Sequence, residues 1–397
     1  MKEGWTYKKL GEVCRIERGG SPRPIKDYIT NNRNGLNWIK IGDTDPQGKY
    51  IYSTKEKIKP EGLKKSRWVE EDEFLLSNSM SFGRPYILKT NGCIHDGWLV
   101  LRDYQKNLFI DFFYYMLLSS NVQKQFKSKA QGSTVSNLNT DRVASVNVSF
   151  PSIEEQQRIV SRLDVAFAHI DERKVNAEKQ LSEVRALFQK ALTKAMEPKE
   201  GWEEKTLSSI VHKDCSLSYG IVQPGDHKED GVPVVRPVDF NNKVVVGLEG
   251  LKRTDKEISD AYKRTILKGG EILFCVRGTT GTMGLASKEL KGCNVTRGIV
   301  PIYFDKEINL LFMYYQLLSP SLQDEIQRKT TGAALKQINI KDLRNLQLFV
   351  PSLSEQQRIV SRLDSLSAHV RELEEVLQKT IAECDALKQA LLRKVFE

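Results

Sequence analysis

Several short constellations in this 397-residue chain have the residue types for chemistry, and each lacks a required neighbour. His95-Asp96 is the kind of pair that orients a general base, but no serine or cysteine nucleophile accompanies it. It reads as a satisfied polar pair. Glu289-Leu290-Lys291 is half of an E-x-K nuclease motif; the Pro-Asp half is missing, and surface charge accounts for it. Gly278, Gly281 and Gly284 lack both the G-x-G spacing of a dinucleotide loop and the acidic residue that would hold a ribose. No G-x-x-x-x-G-K-[ST] loop occurs, so NTP hydrolysis is not expected, and no Asn-Pro-Pro-Tyr-type tetrapeptide marks an adenine-methylating site. Cys14, Cys93, Cys215, Cys275, Cys293 and Cys384 never reach a C-x-x-C spacing. They are expected to be reduced, mostly buried thiols without zinc. The pattern predicts a binding protein with no cofactor and no metal.

Charge indicates what is bound. The net charge is +10, and it is uneven. Residues 1–150 carry 24 basic and 16 acidic side chains, and residues 199–350 carry 22 and 19. Residues 151–198 balance at 8 and 8, and residues 351–397 carry 7 and 8. Positive globular parts on neutral segments suit a polyanion. No run of 18 apolar residues or signal-peptide pattern is present, so a cytoplasmic location and no membrane partner are expected.

The neutral segments form the frame. Pro151-Ser152-Ile153-Glu154-Glu155-Gln156-Gln157-Arg158-Ile159-Val160-Ser161-Arg162-Leu163-Asp164 returns 200 residues later with two differences, at 353 and 354. Proline suits a helix entry, and Ser152 with Glu155, or Ser352 with Glu355, spells a capping box. Apolar residues then recur by fours and threes: Ile159, Leu163, Ala166, Ile170, Ala177, Leu181, Val184, Phe188, Ala191, Ala195. The second copy gives Ile359, Leu363, Leu366, Val370, Leu373, Leu377, Ile381, Cys384, Leu391, Val395. This predicts two long helices with heptad seams, interrupted by a stutter, that bury those seams against each other as an antiparallel coiled coil.

The repeat extends into the parts between. Lys2-Glu3-Gly4-Trp5 returns as Lys199-Glu200-Gly201-Trp202. Strand patterns ending on Asp43 and Asp239 match, as do Glu73 to Leu76 and Glu271 to Phe274, each followed by a glycine-containing loop. Phe112 to Ser119 matches Phe312 to Ser319 and predicts a helix whose aromatics are core; Pro320 is expected to end the second copy early. The fold class is α+β with an internal pseudo-two-fold repeat. The expected parts are 1–150, a helix over 151–198, a second globular part over 199–350, and a helix over 351–397. Framework positions match and the loops do not, as two different recognition surfaces require.

The helix starts at 151 and 351, the Gly-Trp entries, the strands ending at Asp43 and Asp239, and the loops near Gly83 and Gly281 resemble the DNA specificity (S) subunit of Type I restriction–modification systems. The resemblance spans essentially the whole chain. It implies two target recognition domains, each reading one half of a split double-stranded DNA target. It implies a coiled coil that separates them and helps dock two methyltransferase (M) subunits, with two restriction/translocase (R) subunits completing the complex. Adenine methylation with S-adenosylmethionine would then belong to the partner, in accord with the missing motifs. Arg and Lys would neutralise phosphates, and loop Arg, Asn, Gln, Ser and Thr would read base edges in the major groove. The candidates in the first domain are Ser21, Arg23, Lys26, Lys40, Asn78, Ser79, Arg84, Ser133, Thr134 and Asn137. In the second they are Tyr219, Gln223, Arg236, Arg277, Thr279, Thr280, Thr282, Lys336 and Gln337. A stand-alone bipartite DNA-binding regulator and a coiled-coil scaffold with incidental basic domains are the alternatives.

Overall fold

The computed structural model describes residues 2–46, 48–78, 83–130, 138–240, 245–332 and 336–397. Its contacts divide the chain into two units, residues 1–178 with 378–397 and residues 179–377. Each unit holds one globular part with segments of both long helices.

In the first unit, among the described residues, one five-stranded sheet runs in the order Arg15–Arg18, Trp98–Arg102, Phe74–Ser77, Pro85–Leu88, Tyr50–Ile51. A second runs Ile29–Thr30, Glu56–Ile58, Leu36–Ile39, Gly92–Ile94, Arg67–Val69. Thr6–Lys9 pairs antiparallel with Asn147–Phe150, so the strand that opens the domain meets the one that delivers the chain to the central helix. The second unit repeats this with Glu203–Thr206 and Gln347–Val350. Its sheets order Val245–Val246, Met283–Ala286, Ile272–Cys275, Ile299–Ile302, and Lys252–Thr254, Val232–Val235, Asn294–Val295.

The aromatic helix is core in both units. Phe112, Phe113, Phe312 and Met313 are fully buried, and Trp5 and Trp202 pack on Phe112 and Phe312 at 6.1 and 5.8 Å. Gly4 and Gly201 hold φ near +76° and +84°, which explains why glycine precedes each tryptophan. The second aromatic helix, Leu310–Leu318, does end at Ser319, and Pro320 starts the next helix, Pro320–Arg328. Proline is not the cause of the break, because Ile110–Leu118 stops at Ser119 with Ser120 opening Ser120–Ala130. In both copies the serine hydroxyl turns back onto the carbonyl of residue 116 or 316, at 2.7 Å.

The long helices are Ile153–Met196 and Leu353–Phe396. Ser152 and Ser352 accept the amides of Glu155 and Glu355, while those glutamates hold Arg158 and Arg358. Gln156 and Gln356 are buried and clasp helix to domain. Gln156 accepts the Phe109 amide at 2.8 Å and donates to the carbonyls of Asn107 and Pro151, both at 2.9 Å. Gln356 does the same to Asn309, Glu307 and Pro351. About two turns further, Asp164 and Asp364 accept the hydroxyls of Tyr115 and Tyr315 at 2.5 Å. The repeated motif is therefore a joint.

The helices pair antiparallel. In the first unit Lys174 meets Asp385 at 2.7 Å and Asp171 meets Lys388; in the second, Arg185 meets Glu374 at 2.7 Å. Inward positions run 170, 174, 177, 181, 184, 188, 191, 195 on the central helix and 370, 374, 377, 381, 384, 388, 391, 395 on the C-terminal one, an unbroken alternation of fours and threes. Leu373, read as a seam residue, is 50% exposed, and Glu374 takes its place. Apolar periodicity passed over seam positions 174 and 374 because charged side chains fill them.

Candidate nucleic-acid interface

A ladder of backbone hydrogen bonds sets several of the described candidate segments of each unit side by side. In the second unit Ile221 bridges Thr296, and the Arg297 amide donates to Ile221. The Val276 amide donates to Gly298, and the Gly278 amide donates to Lys336 at 2.9 Å. Segments 219–223, 236–239, 276–282, 296–298 and 336–337 are thereby neighbours; Pro237 stands so close to Gly298 that a Cβ there would come within 2.9 Å of its ring. The first unit builds the counterpart from Gly20 on Ile94, Gly19 on Trp98, Asn78 on Gly97 and Leu138 on Asn78.

Side chains on this frame differ in availability. Tyr219 is 41% exposed, and Gln223, Thr279, Thr282, Lys336 and Gln337 are also exposed. Arg277 is half-buried, with its backbone bridged to Gln337. Thr280 is buried, and its hydroxyl donates to the Lys336 carbonyl at 3.2 Å, tying the two loops together. Arg236 lies along its own Asp239, with Nε and Nη2 at 3.1 and 2.7 Å from the carboxylate. That carboxylate also accepts the Arg236 amide, just as Asp43 accepts that of Lys40. The strand patterns expected to end on these aspartates stop earlier, at Ile39 and Val235, because the aspartates fold the next residues into a tight turn.

In the first unit Ser21, Arg23, Lys26 and Lys40 line one cleft of about 900 Å³, with Trp38 and His95 in its wall. Lys26 is exposed and Arg23 reaches Asp96 at 3.1 Å, while Lys40 is paired with Glu56 at 2.6 Å. Ser21 donates to Asp96 at 2.7 Å. Asn78 is 1% exposed and donates to the Asp96 carbonyl at 2.8 Å, so its amide positions the loop. Arg84 packs over Tyr86 with its Nε buried and unpaired among the described residues. Ser79, Ser133, Thr134 and Asn137 lie outside the described residues. Two arginines beside the ladder escaped the sequence reading: Arg18, whose Nε donates to the Asp96 carbonyl at 3.2 Å, and exposed Arg297. The Gly97-Trp98 and Gly298-Ile299 correspondence was the signal that could have found Arg297.

His95-Asp96 is the hub of the first surface. Hydrogen bonding to Ser21 leads the causes that hold the Asp96 carboxyl below its ordinary range. Burial lowers the His95 pKa from its ordinary 6.5, against the pull of Asp96 and Asp43 and with the aid of Lys40. The amides of Ile41 and Gly97 point at Nε2 and Nδ1, at 3.2 and 2.8 Å. A neutral ring can accept one of them; a protonated ring accepts neither. Because the folded pKa lies below the unfolded one, the contribution is complete above pH 6.5 and is lost as pH falls below it. The melting temperature is expected to decline on acidification from pH 7 toward 5, with a shallower slope in His95→Gln. Equal slopes in thermal scans of the two proteins would rule out this role for His95.

Comparison with known proteins comes to the same frame. The family model for the Type I restriction modification DNA specificity domain matches residues 2–181 and 199–383. The EcoBI specificity subunit of Escherichia coli is 25% identical over all of this chain and 86% of that relative. A putative Methanocaldococcus jannaschii specificity subunit, MjaX, is 25% identical over 98% of this chain and 95% of its own length. A solved chain from work on assembly and conformational transition of the type I R-M system superposes with TM-score 0.80 at 21% identity, covering 100% of this chain and 98% of its own. The HsdS subunit from Thermoanaerobacter tengcongensis gives 0.56 at 20%, covering 100% and 97%. These two likenesses show the fold.

Proposed function

The chain belongs to the Type I restriction–modification DNA specificity family, and we propose that it binds a bipartite double-stranded DNA target with one half-site per globular domain, 1–150 and 199–350. As a specificity subunit it is not itself an enzyme. It confers the target on two adenine-methylating M subunits and two restriction/translocase R subunits, in the cytoplasm. The observation that supports this most is the ladder, built alike in both units and carrying different side chains. Exposed Lys26, Lys336 and Arg297 are suited to phosphates, and Arg23, Gln223, Arg277, Thr279 and Gln337 to base edges. Each bidentate contact to a base discriminates by about 1–3 kcal/mol, so one half-site of a few contacts is weakly selective. Two domains in one chain make the second half-site an intramolecular encounter.

The test is reconstitution. Alone with S-adenosylmethionine and DNA, the chain is expected to transfer no methyl group; with its M subunits it should direct methylation to a single split sequence. Methyl transfer by the chain alone would contradict the proposal. So would tight site-specific binding that never supports methylation when M subunits are present, the signature of a stand-alone regulator.

A further inference from the structure

The two long helices begin as near copies of each other, and their apolar seams have the same period. Apolar burial alone therefore gives little reason for a central helix to choose the C-terminal helix of its own chain over the central helix of another. The charges beside and within the seam do. Lys174, 15% exposed, faces Asp385 across the first unit, and half-buried Glu374 faces Arg185 across the second. Positions 174 and 374 are the same place in the repeat, as are 185 and 385, and at both the charge is inverted between copies. The central helix is basic at the two places where the C-terminal helix is acidic. A third contact, Asp171 with Lys388, has Arg371 and Phe188 at its equivalent positions.

We infer that these side chains commit the central and C-terminal helices to each other and bar each from pairing with a copy of itself. In the same antiparallel register, two central helices would set Lys174 against Arg185 twice over. Two C-terminal helices would set Glu374 against Asp385 and Arg371 against Lys388, each twice. Each pair joins one partly buried seam charge, Lys174 or Glu374, to an exposed one, Asp385 or Arg185. The seam charge is screened less than on an open surface, and a charged residue at a core heptad position fixes partner and register at some loss of stability. Partner choice here comes as much from the repulsion in the wrong pairings as from the attraction in the right one.

Two full-length variants sharing two substitutions test this. Arg185→Glu with Asp385→Arg makes both intrachain contacts like-charged and both self-pairings attractive. Adding Lys174→Glu and Glu374→Arg to that pair exchanges the charges across both contacts, so the intrachain contacts are opposite-charged and both self-pairings like-charged again. The first is expected to melt several degrees below the natural chain at low salt and to show concentration-dependent dimers by sedimentation. The second is expected to match the natural chain in both. High salt should narrow the first variant's deficit. If the first variant sediments and melts like the natural chain, the charges do not choose the partner. If both variants are lowered equally, local fit and not charge sign is responsible. Insolubility of the first beside a normal second counts for the inference.

Discussion

Gln156→Leu is expected to lower the melting temperature by roughly 6–12 °C, an effect larger than any exposed substitution in the same turn produces. The leucine would fill similar space but leave the Phe109 amide and the carbonyls of Asn107 and Pro151 without the side chain that now satisfies them. A buried polar group left unpaired costs about 1–3 kcal/mol, so the three together give a loss of about 3 kcal/mol or more. Gln356→Leu is expected to do the same through Asn309, Glu307 and Pro351. The adjacent Gln157 is exposed, and Gln157→Leu is expected to stay within about 0.5 kcal/mol of the natural chain. Thermal or urea unfolding of the three variants compares them directly. A Gln156→Leu melt no lower than that of Gln157→Leu would mean that the joint is held by other contacts.

The same motif shows where the sequence could be read and where it could not. The helix starts at 153 and 353 were legible because proline, serine and an apolar period are local signals. Which of the paired glutamines turns inward was not legible, since the answer depends on the loop before the aromatic helix, 47 residues away from it in sequence. The seam was drawn from apolar residues only, so Lys174 and Glu374 fell out of it. The charges that break the apolar pattern are the ones that carry information about pairing.

Candidate contact residues were legible as loops and less so as side chains. Chain position placed 277–282 and 336–337 in polar loops, and the structure joins those loops through Gly278 and Thr280. Composition could not reveal that Arg236 is held by Asp239, that Asn78 is buried, or that Ser21 is tied to Asp96. Each of these depends on a neighbour brought in by sheet pairing. The residues left exposed on the ladder are the ones whose substitution is expected to change DNA recognition.

Exchange of residues 1–150 for the corresponding part of a related specificity subunit is expected to rewrite one half of the DNA target and preserve the other. The joints at Gln156 and Tyr115–Asp164 have their counterparts at Gln356 and Tyr315–Asp364, so each domain is seated on the long helices by contacts of its own unit. A single mismatched base pair typically costs about 1–3 kcal/mol, so several changed positions in one half-site remove the original target from detectable methylation. The direct measurement is a map of methylated adenines in cells that hold the M subunits with either the natural or the exchanged chain. One new half beside one retained half is the predicted outcome; a target changed in both halves, or in neither, would contradict recognition by two independent domains.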